Sequence, residues 1–480
     1  MTSFLIALAV LVGGYFIYGA LVERIFKIEP ERATPAYSMN DGVDYAPMAT
    51  WRVFLIQFLN IAGLGPIFGA IMGVMFGPAA FLWIAFGTIF AGAVHDFIAA
   101  MISLRSGGLS LPECVGEQLG SGVKQTMRGF SLVLLILVGA VFVVSPADLI
   151  AQMTPGVFNK MFWIGAIFIY YILATLLPVD KLIGRLYPVF GFALLFMALG
   201  LLIALLLGGH EIPMGFADGL TNRQPDADKL PIFPMMFVSI ACGAISGFHA
   251  TQSPMMARCL KNEKLARPVF YGAMVAEGIV ALIWAAAAIT YVGGYEHLQQ
   301  YMAEHGNSAA DLVKEISSNW LGAIGGVLAL LGVVFAPITS GDTALRSARL
   351  ITADFMHLNQ KSIWRRLLTS LPLFGLCFLV MLIDFNVLWR YFAWCNQTLS
   401  VFTLWAATVW LARNRRAYII TLLPALFMTV VSVAYILYAH RPEGFGLGLP
   451  VALTAGAIVA GGFLILFMRF LRRREGVCKG

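Results

Sequence analysis

Charged residues are scarce in this chain. Only 12% of its 480 residues are Asp, Glu, Lys or Arg, whereas 60% are hydrophobic, and the mean hydropathy is +0.83. A soluble globular chain carries about 25% charged residues, so this composition excludes a soluble protein. Apolar runs of about 18 residues or more can cross a bilayer as helices, and the alternating ten-residue strands of a membrane β-barrel are absent. The sequence therefore predicts an all-α polytopic membrane protein.

Several motifs that would indicate other functions are also missing. The six cysteines are scattered without a CxxC pair, which excludes a disulfide framework or a zinc-finger-like site. The chain has no P-loop, so ATP does not drive it directly, and the apolar segments contain no HExxH, GxSxG or paired-carboxylate motif. These absences argue against an enzyme, and no cofactor other than a coupling ion is expected.

The positive charge of the chain follows membrane topology. We expect about thirteen transmembrane helices, and 26 of the 32 Lys and Arg residues fall in loops that follow odd-numbered spans or in the C-terminal tail. Because positive residues stay on the cytoplasmic side, the N-terminus is expected outside and the C-terminus inside the cell. The net charge of +7 is thus topological, and no nucleic-acid partner is expected.

Two apolar spans are interrupted by helix-breaking residues. The second span contains FLNIAGLGPIFGAIMG (58–73), and the seventh contains ACGAISGFHATQSPMMARC (241–259). Glycine and proline disfavour helix interiors, and unwound backbone at membrane depth is tolerated where it is buried in protein or lines a cavity. Small residues that let helices pack closely are the alternative explanation. Two breaks at corresponding positions in spans of opposite direction favour discontinuous helices at a substrate site, as in inverted-repeat transporters.

This pattern predicts a five-plus-five inverted repeat. The expected divisions are an extra N-terminal helix and cytoplasmic loop (1–51), a first repeat of spans 2–6 (52–208), an outer loop (209–232), a second repeat of spans 7–11 (233–411) that includes an outer lid loop (294–319), and two C-terminal helices with a basic tail (412–480).

Polar side chains within the apolar spans are the candidate site residues. Around the second break, Ser246, His249, Thr251 and Gln252 either bind the substrate or cap the half-helix. An ionisable group inside the membrane is a functional candidate, and histidine exchanges protons near neutral pH.

Further candidates lie on three other spans. Asp96, which follows His95 near the end of span 3, and Glu277 on span 8 carry a proton or form gate ion pairs. Asn396 and Gln397 on span 11 line the pathway or bond between helices.

Long stretches of the chain resemble the carbon starvation protein A family. They are GPIFGAIMGVMFGPAAFLWIAFGTIFAGAVHDFIAAMISLRSGG (65–108), ACGAISGFHATQSP (241–254), APITSGDTALRSARL (336–350) and FAWCNQTLSVFTLW (392–405). The resemblance implies a multi-pass inner-membrane transporter for small peptides or pyruvate that is linked to nutrient limitation.

The arrangement of spans also resembles the leucine-transporter fold, whose first core helix carries a Gly-Leu-Gly break like that at Gly63, Leu64 and Gly65. The resemblance implies that backbone amides there hold a substrate carboxylate. Pro66 stands where that fold has an asparagine that binds sodium, so that ion site is expected to be absent. The fold also has a second sodium site, and five residues of this chain match the residues of that site in spacing. They are the carbonyls of Leu59 and Ala62 together with Ala336, Thr339 and Ser340.

A cation-coupled secondary transporter of a small molecule is the leading functional hypothesis. A channel would need a continuous polar lining or a symmetric filter, and neither is visible. A nutrient sensor would need a cytosolic signalling domain, for which the chain leaves no room. The sequence leaves sodium and proton coupling both open, does not choose between peptides and pyruvate, and does not indicate the oligomeric state.

Overall fold

The structure, a computed structural model, describes residues 2–42, 44–176, 179–213, 216, 219–358, 360 and 362–477, and part of the predicted outer loop 209–232 therefore lies outside the described residues. Within this part of the chain the regular elements are all helices. The principal helices are Thr2–Phe26, Thr50–Ile61, Ala79–Arg105, Leu111–Leu119, Ser121–Met153, Lys160–Leu176, Val179–Leu207, Gly247–Ala257, Glu263–Val292, Tyr295–Glu304, Ala309–Ala329, Phe335–Met356, Ile363–Val380, Phe385–Arg413, Ile419–Tyr438 and Leu449–Val477.

The helices confirm a polytopic all-α membrane protein. Among the described residues, eight helices are long and apolar enough to cross a bilayer, and two bent helix pairs raise that number to ten. The count of thirteen spans stays a prediction.

The first predicted break is confirmed. Helix Thr50–Ile61 ends at Ala62, where ψ turns to 53°, and the chain resumes as a short helix over Gly65–Val74 that is bent by 54° from the first. Pro66 stands at the start of the second half, where its missing N–H costs no hydrogen bond. We call this pair the first broken span.

The second break lies earlier in the chain than expected. A short helix, Phe237–Ser239, ends at Ile240, and helix Gly247–Ala257 begins after an extended Ser246. The interruption therefore covers 240–246. The sequence had suggested that His249, Thr251 and Gln252 lie in the gap, but the structure places them on the half-helix that follows it. The start of this half-helix is set by Asn396, whose side chain accepts a hydrogen bond from Phe248 N–H at 2.6 Å. We call residues 232–257 the second broken span.

A third bend was not predicted. Helices Ala309–Leu328 and Leu331–Met356 meet at 61°. The first of these and helix Tyr295–Glu304 make the predicted lid region helical. We call the side of the protein that carries these two helices the lid end. The opposite side carries Arg105, Arg258 and Arg413 at or beside the ends of their helices, and we call it the basic end.

The two breaks pack directly against each other. A Cβ added to Gly65 would lie 2.1 Å from Cys242 Cβ, and one added to Gly69 would lie 2.9 Å from the carbonyl oxygen of Ser239. Such short distances leave no room for any side chain on this face of the half-helix Gly65–Val74. Gly65 and Gly69 therefore allow the first broken span to approach the second break closely.

Candidate functional site

A row of four ionisable side chains lies beside the breaks. His95 Nδ1 is 2.7 Å from Asp96 Oδ1, and His249 Nδ1 is 2.9 Å from Asp96 Oδ2. The other ring nitrogen of His249, Nε2, is 3.4 Å from Glu277 Oε2. All four side chains are 0% exposed. We call them the His–Asp–His–Glu array.

Three separate spans supply the array. Asp96 follows a π-helical stretch, Trp83–Gly92, and such wide turns are frequent at functional sites. That stretch touches the second break directly, because Thr88 Oγ1 donates to the carbonyl of Gly243 at 3.1 Å. His249 comes from the half-helix of the second broken span, and Glu277 from helix Gly272–Val292. The array therefore connects the discontinuous helix to two continuous ones.

Protons are the charges that this array can exchange. Histidine Nδ1 and Nε2 alternate between donor and acceptor as the ring gains or loses a proton, and each nitrogen of His249 faces a carboxylate. Both oxygens of Glu277 and the Nε2 atoms of both histidines have no hydrogen-bond partner among the described residues. His249 therefore lies between two buried carboxylates, hydrogen-bonded to Asp96 and 3.4 Å from Glu277, which is the arrangement that a buried proton relay needs. No group of three or more His, Cys, Asp or Glu in the described part of the chain has the geometry of a metal site.

Asn396 and Gln397 bond to the backbone and side chains of the second break. Asn396 Oδ1 accepts from Phe248 N–H and, at 2.9 Å, from the hydroxyl of Ser246. Gln397 Nε2 donates to the carbonyls of Phe237 and Ile245 at 3.2 and 3.3 Å. These residues were predicted either to line the pathway or to form bonds between helices, and the structure shows bonds between helices. Unwound backbone at this depth needs such partners, since water is scarce there.

The predicted sodium ligands are partly brought together. Ser340 Oγ lies 2.9 Å from the Leu59 carbonyl oxygen and 3.0 Å from that of Ala336. Thr339 Oγ1 donates to the same Ala336 carbonyl at 2.7 Å. The Cβ of an alanine at Gly63 would lie 3.5 Å from Ser340 Oγ, so helix Phe335–Met356 does face the first break. Hard oxygen donors of this kind suit Na⁺, but the hydroxyl groups are turned onto the carbonyls.

A polar seam that sequence reasoning missed joins the broken spans towards the basic end. Gln57 Nε2 donates to Ser253 Oγ at 3.3 Å, and Thr343 Oγ1 donates to Asn60 Oδ1 at 3.3 Å. Gln57 and Asn60 are three residues apart, so they share one face of an otherwise apolar helix. That spacing was the available signal. Among predicted residues, Gln252 extends the seam, because its Nε2 donates to Ser347 Oγ of helix Phe335–Met356 at 3.4 Å.

A cavity of about 180 Å³ opens at the lid end of the first broken span. Phe68 and Met72 of the half-helix line its floor, Trp389 lines one wall, and the lid segment 306–310 covers it. At its rim, Lys160 Nζ pairs with Asp148 Oδ1 at 3.1 Å. We call this cavity the vestibule.

Aromatic rings separate the vestibule from the breaks. Phe142 packs at 6.4 Å from Phe248 and at 6.1 Å from Phe392, and Trp389 lies 5.4 Å from Phe392, measured between ring centroids. Phe142 also lies 3.1 Å from where a Cβ of residue 63 would stand. Below this layer the N–H of Leu64, a predicted substrate contact, donates to no backbone carbonyl of the described residues.

At the basic end the broken spans are covered. The guanidinium carbon of Arg258 lies 4.9 Å from the ring centroid of Tyr45, and Arg258 Nε donates to the Gly108 carbonyl at 2.8 Å. The hydroxyl of Tyr45 donates to the neighbouring Gly107 carbonyl at 3.2 Å, and Met48 N–H donates to the Cys259 carbonyl at 3.1 Å. The breaks therefore lie between the aromatic layer on the vestibule side and this cover at the basic end.

Comparison with known proteins places these features in a family. The family described as carbon starvation protein CstA has a model that matches residues 1–161 and 153–324. An uncharacterized membrane protein of Haemophilus influenzae is 46% identical over 347 residues, which cover 62% of this chain and 93% of that protein. The peptide transporter CstA of Bacillus subtilis is 30% identical over 60% of this chain, and the pyruvate/proton symporter BtsT of Escherichia coli is 29% identical over 56%. These alignments span 58% and 46% of the two transporters, or about half of their length.

Solved structures of the leucine-transporter-like fold superpose on most of the chain. The manganese transporter of Eremococcus coleocola, in complex with an aromatic bis-isothiourea substituted compound, has a TM-score of 0.51 and covers 91% of this chain and 99% of its own at 14% identity. MhsT in complex with L-phenylalanine has a TM-score of 0.53, with 88% and 98% covered, at 15% identity. At such low identity the likeness shows the fold alone.

Proposed function

The chain belongs to the carbon starvation protein CstA family, and we propose that it is a secondary active transporter that imports a small carboxylate, pyruvate or a short peptide, together with protons. The observation that carries this proposal is His249, held between Asp96 and Glu277 on the half-helix that follows a backbone break. Relatives named as peptide transporters and as a pyruvate/proton symporter support both the substrate class and the coupling ion.

The architecture of the proposal is that of alternating access. We infer thirteen spans with repeats at 52–208 and 233–411, with the lid end outside the cell and the basic end in the cytoplasm of an inner-membrane protein. The concentration of Lys and Arg at the basic end supports this orientation. The substrate arrives through the vestibule, and the cover at Tyr45 and Arg258 opens only in the inward-facing state.

The site is proposed to bind a carboxylate and a proton at the same time. The start of the half-helix Gly65–Val74 carries partial positive charge and the free N–H of Leu64, which attract an anion. Gly63 and Gly65 let the backbone come close to the ligand, and Ser246, Thr251 and Gln252 are within reach of its polar groups when the aromatic layer opens. A proton taken up by the array offsets the negative charge of the carboxylate. With pyruvate the pair then crosses as a neutral unit, and with a zwitterionic peptide it crosses with one positive charge, so the membrane potential opposes import of neither.

Sodium is the second candidate coupling ion. The observation that favours it is the cluster of Ser340, Leu59 and Ala336 oxygens beside the first break. Thr339 Oγ1 and the Ala62 carbonyl would complete the coordination. If sodium is the coupling ion, the His–Asp–His–Glu array holds the broken span closed through its ion pairs and does not carry protons.

Purified protein in liposomes tests the proposal. Counterflow of labelled pyruvate or dipeptide is measured first, because carriers show it and channels, enzymes and sensors do not. Sodium and pH gradients are then imposed separately, and a proton symporter is expected to accumulate substrate only with the acidic side outside. Two pH units support up to about 100-fold accumulation for one proton per substrate. Counterflow without any response to pH would contradict proton coupling, and absence of counterflow for both substrates would contradict the transport proposal.

A further inference from the structure

A large apolar cavity lies among the last helices of the chain, away from the breaks. It measures about 460 Å³ and is enclosed by three helices, Phe385–Arg413, Ile419–Tyr438 and Leu449–Val477, with the end of Leu111–Leu119 at its mouth. We call it the trough. Its volume falls in the range of small-molecule sites in proteins, about 300–1,000 Å³.

The trough has the length of one acyl chain. Along helix Phe385–Arg413 its lining runs from Thr398 to Val409, and along the last helix from Val459 to Phe470. Each stretch rises about 16 Å at ~1.5 Å per residue. One leaflet of a bilayer contributes about half of a hydrocarbon core that is ~30 Å thick. The trough therefore spans a single leaflet, on the side of the basic end.

The walls of the trough offer an occupant no polar partner. The hydroxyl of Thr429 accepts from Trp405 Nε1 at 3.1 Å, and the hydroxyls of Thr398 and Ser432 bond to each other at 2.5 Å. Most of the remaining lining is Val, Leu and Phe. An apolar chain fits such walls, because polar groups would be left without hydrogen bonds there.

The mouth of the trough is positively charged. The guanidinium carbon of Arg413 lies 5.8 Å from the ring centroid of Phe470, a lining residue, and Arg413 also bonds to the carbonyls of Glu117 and Gln118. Arg474 donates to the Arg413 carbonyl. Arg473, three residues after Phe470 on the same helix face, is exposed to solvent. Basic pockets between membrane helices attract anionic lipid head groups.

From the length, the dry walls and the charged mouth, we infer that the trough is a binding site for one anionic phospholipid of the inner leaflet, with an acyl chain between the last three helices and the phosphate beside Arg473. The occupant packs against Phe385–Arg413, the helix whose Asn396 caps the second broken span. This inference rests on the trough and on the orientation that the basic residues predict, and it does not require the proposed transport function.

Native mass spectrometry of the full-length detergent-purified chain tests the site without any transport assay. The protein is mixed with equimolar phosphatidylglycerol and phosphatidylcholine, and bound lipid is counted per chain. We expect one phosphatidylglycerol to be retained, and we expect Val459→Trp, which fills the trough, to reduce that retention at least about tenfold. The matched control is Ile458→Trp, whose side chain is 68% exposed on the outer face of the same helix, and it should retain the lipid. Val433→Phe on another wall gives a second filled trough should Val459→Trp fold poorly.

The charged mouth is tested by two adjacent arginines. Arg473→Gln should lower the preference for phosphatidylglycerol over phosphatidylcholine about fivefold, the worth of one basic residue near an anionic surface. Arg472→Gln, on the opposite helix face, should leave the preference intact. Equal retention of both lipids, undiminished retention in both filled variants, or a dimer of this chain that dissociates when the trough is filled would overturn the inference.

Discussion

Nδ1 of His249 lies 2.9 Å from Oδ2 of Asp96, and the same imidazole ring presents Nε2 to Glu277 at 3.4 Å. The ring therefore bridges two carboxylates that belong to different helices. Because His249 rides on the half-helix after the second break, any tilt of that half-helix changes both distances together. Protonation of the ring and movement of the broken span are thus physically linked.

Substitution of His249 separates proton coupling from packing. His249→Gln keeps a donor and an acceptor but cannot titrate, so we expect substrate counterflow to continue while accumulation driven by a pH gradient is lost. His249→Ala also leaves Asp96 and Glu277 without their shared partner, and counterflow should fall roughly ten- to a hundredfold. The exposed His297 provides the control, since His297→Gln should behave like wild type. If both His249 variants accumulate substrate like wild type between about pH 5.5 and 8, His249 has only a structural role and does not couple protons to transport.

Glu277 is expected to be an obligatory proton site. Glu277→Gln has the shape of the protonated acid and cannot release the proton. In liposomes with an imposed pH gradient, the variant should equilibrate labelled substrate to a ratio of about 1 instead of accumulating it, whereas counterflow persists. Glu296→Gln, at an exposed position of the lid, is the matched control. Undiminished pH-driven accumulation by Glu277→Gln would place the coupling proton elsewhere.

The contact between the two breaks leaves no room for a methyl group at Gly65. In Gly65→Ala the new Cβ would lie 2.1 Å from Cys242 Cβ, so the broken spans must separate. Overpacking of this kind costs about 1–3 kcal/mol, and we expect a lower melting temperature and loss of transport. Gly461→Ala, with open space around it, is the neutral control. Gly65→Ala combined with Cys242→Gly removes the opposing side chain and should regain stability, and failure to regain any would show that the contact is not the cause.

Substitution of Thr339 and Ser340 tests whether sodium is the coupling ion. Thr339→Ala together with Ser340→Ala removes two hydroxyl groups but leaves the array untouched. If protons drive transport, pH-driven accumulation should remain above about half of wild type, because only one bond between helices, about 0.5–1.5 kcal/mol, is lost. Uptake rates are measured with sodium or with choline as the external cation. Loss of a sodium-dependent component in the double variant would favour the second candidate ion over the first.

The sequence predicted the class of fold and the first break because those signals are local. Apolar runs mark the spans, and Gly63, Gly65 and Pro66 stand within four residues of one another. Asp96, His249 and Glu277 were recognisable as candidates because ionisable residues inside apolar helices are rare. Their arrangement in one row was not, since Asp96 and His249 are 153 residues apart.

The position of the second break was also not predictable, because it depends on a contact between residues that are distant in sequence. Two glycines and a proline lie between 243 and 254, and local propensity does not choose among them. The choice is made by Asn396, 148 residues away from the backbone N–H of Phe248 that it caps. Gln57 and Asn60 were overlooked for a related reason. Gln57 looks like an isolated polar residue until the half-helix Gly247–Ala257 is packed beside it, and Asn60 does so until helix Phe335–Met356 is.

The link between Met48 and Cys259 has a mechanical meaning. The N–H of Met48 holds the end of the second broken span, and only Ala49 separates Met48 from the first residue of helix Thr50–Ile61. Tyr45, which together with Arg258 covers the breaks at the basic end, thus lies only five residues before the first broken span. We expect any movement of that span during transport to displace Tyr45 as well, because only residues 46–49 separate Tyr45 from the start of the helix. In the proposed transport cycle, release of the substrate and opening of the cover at the basic end are therefore expected to be one movement and not two.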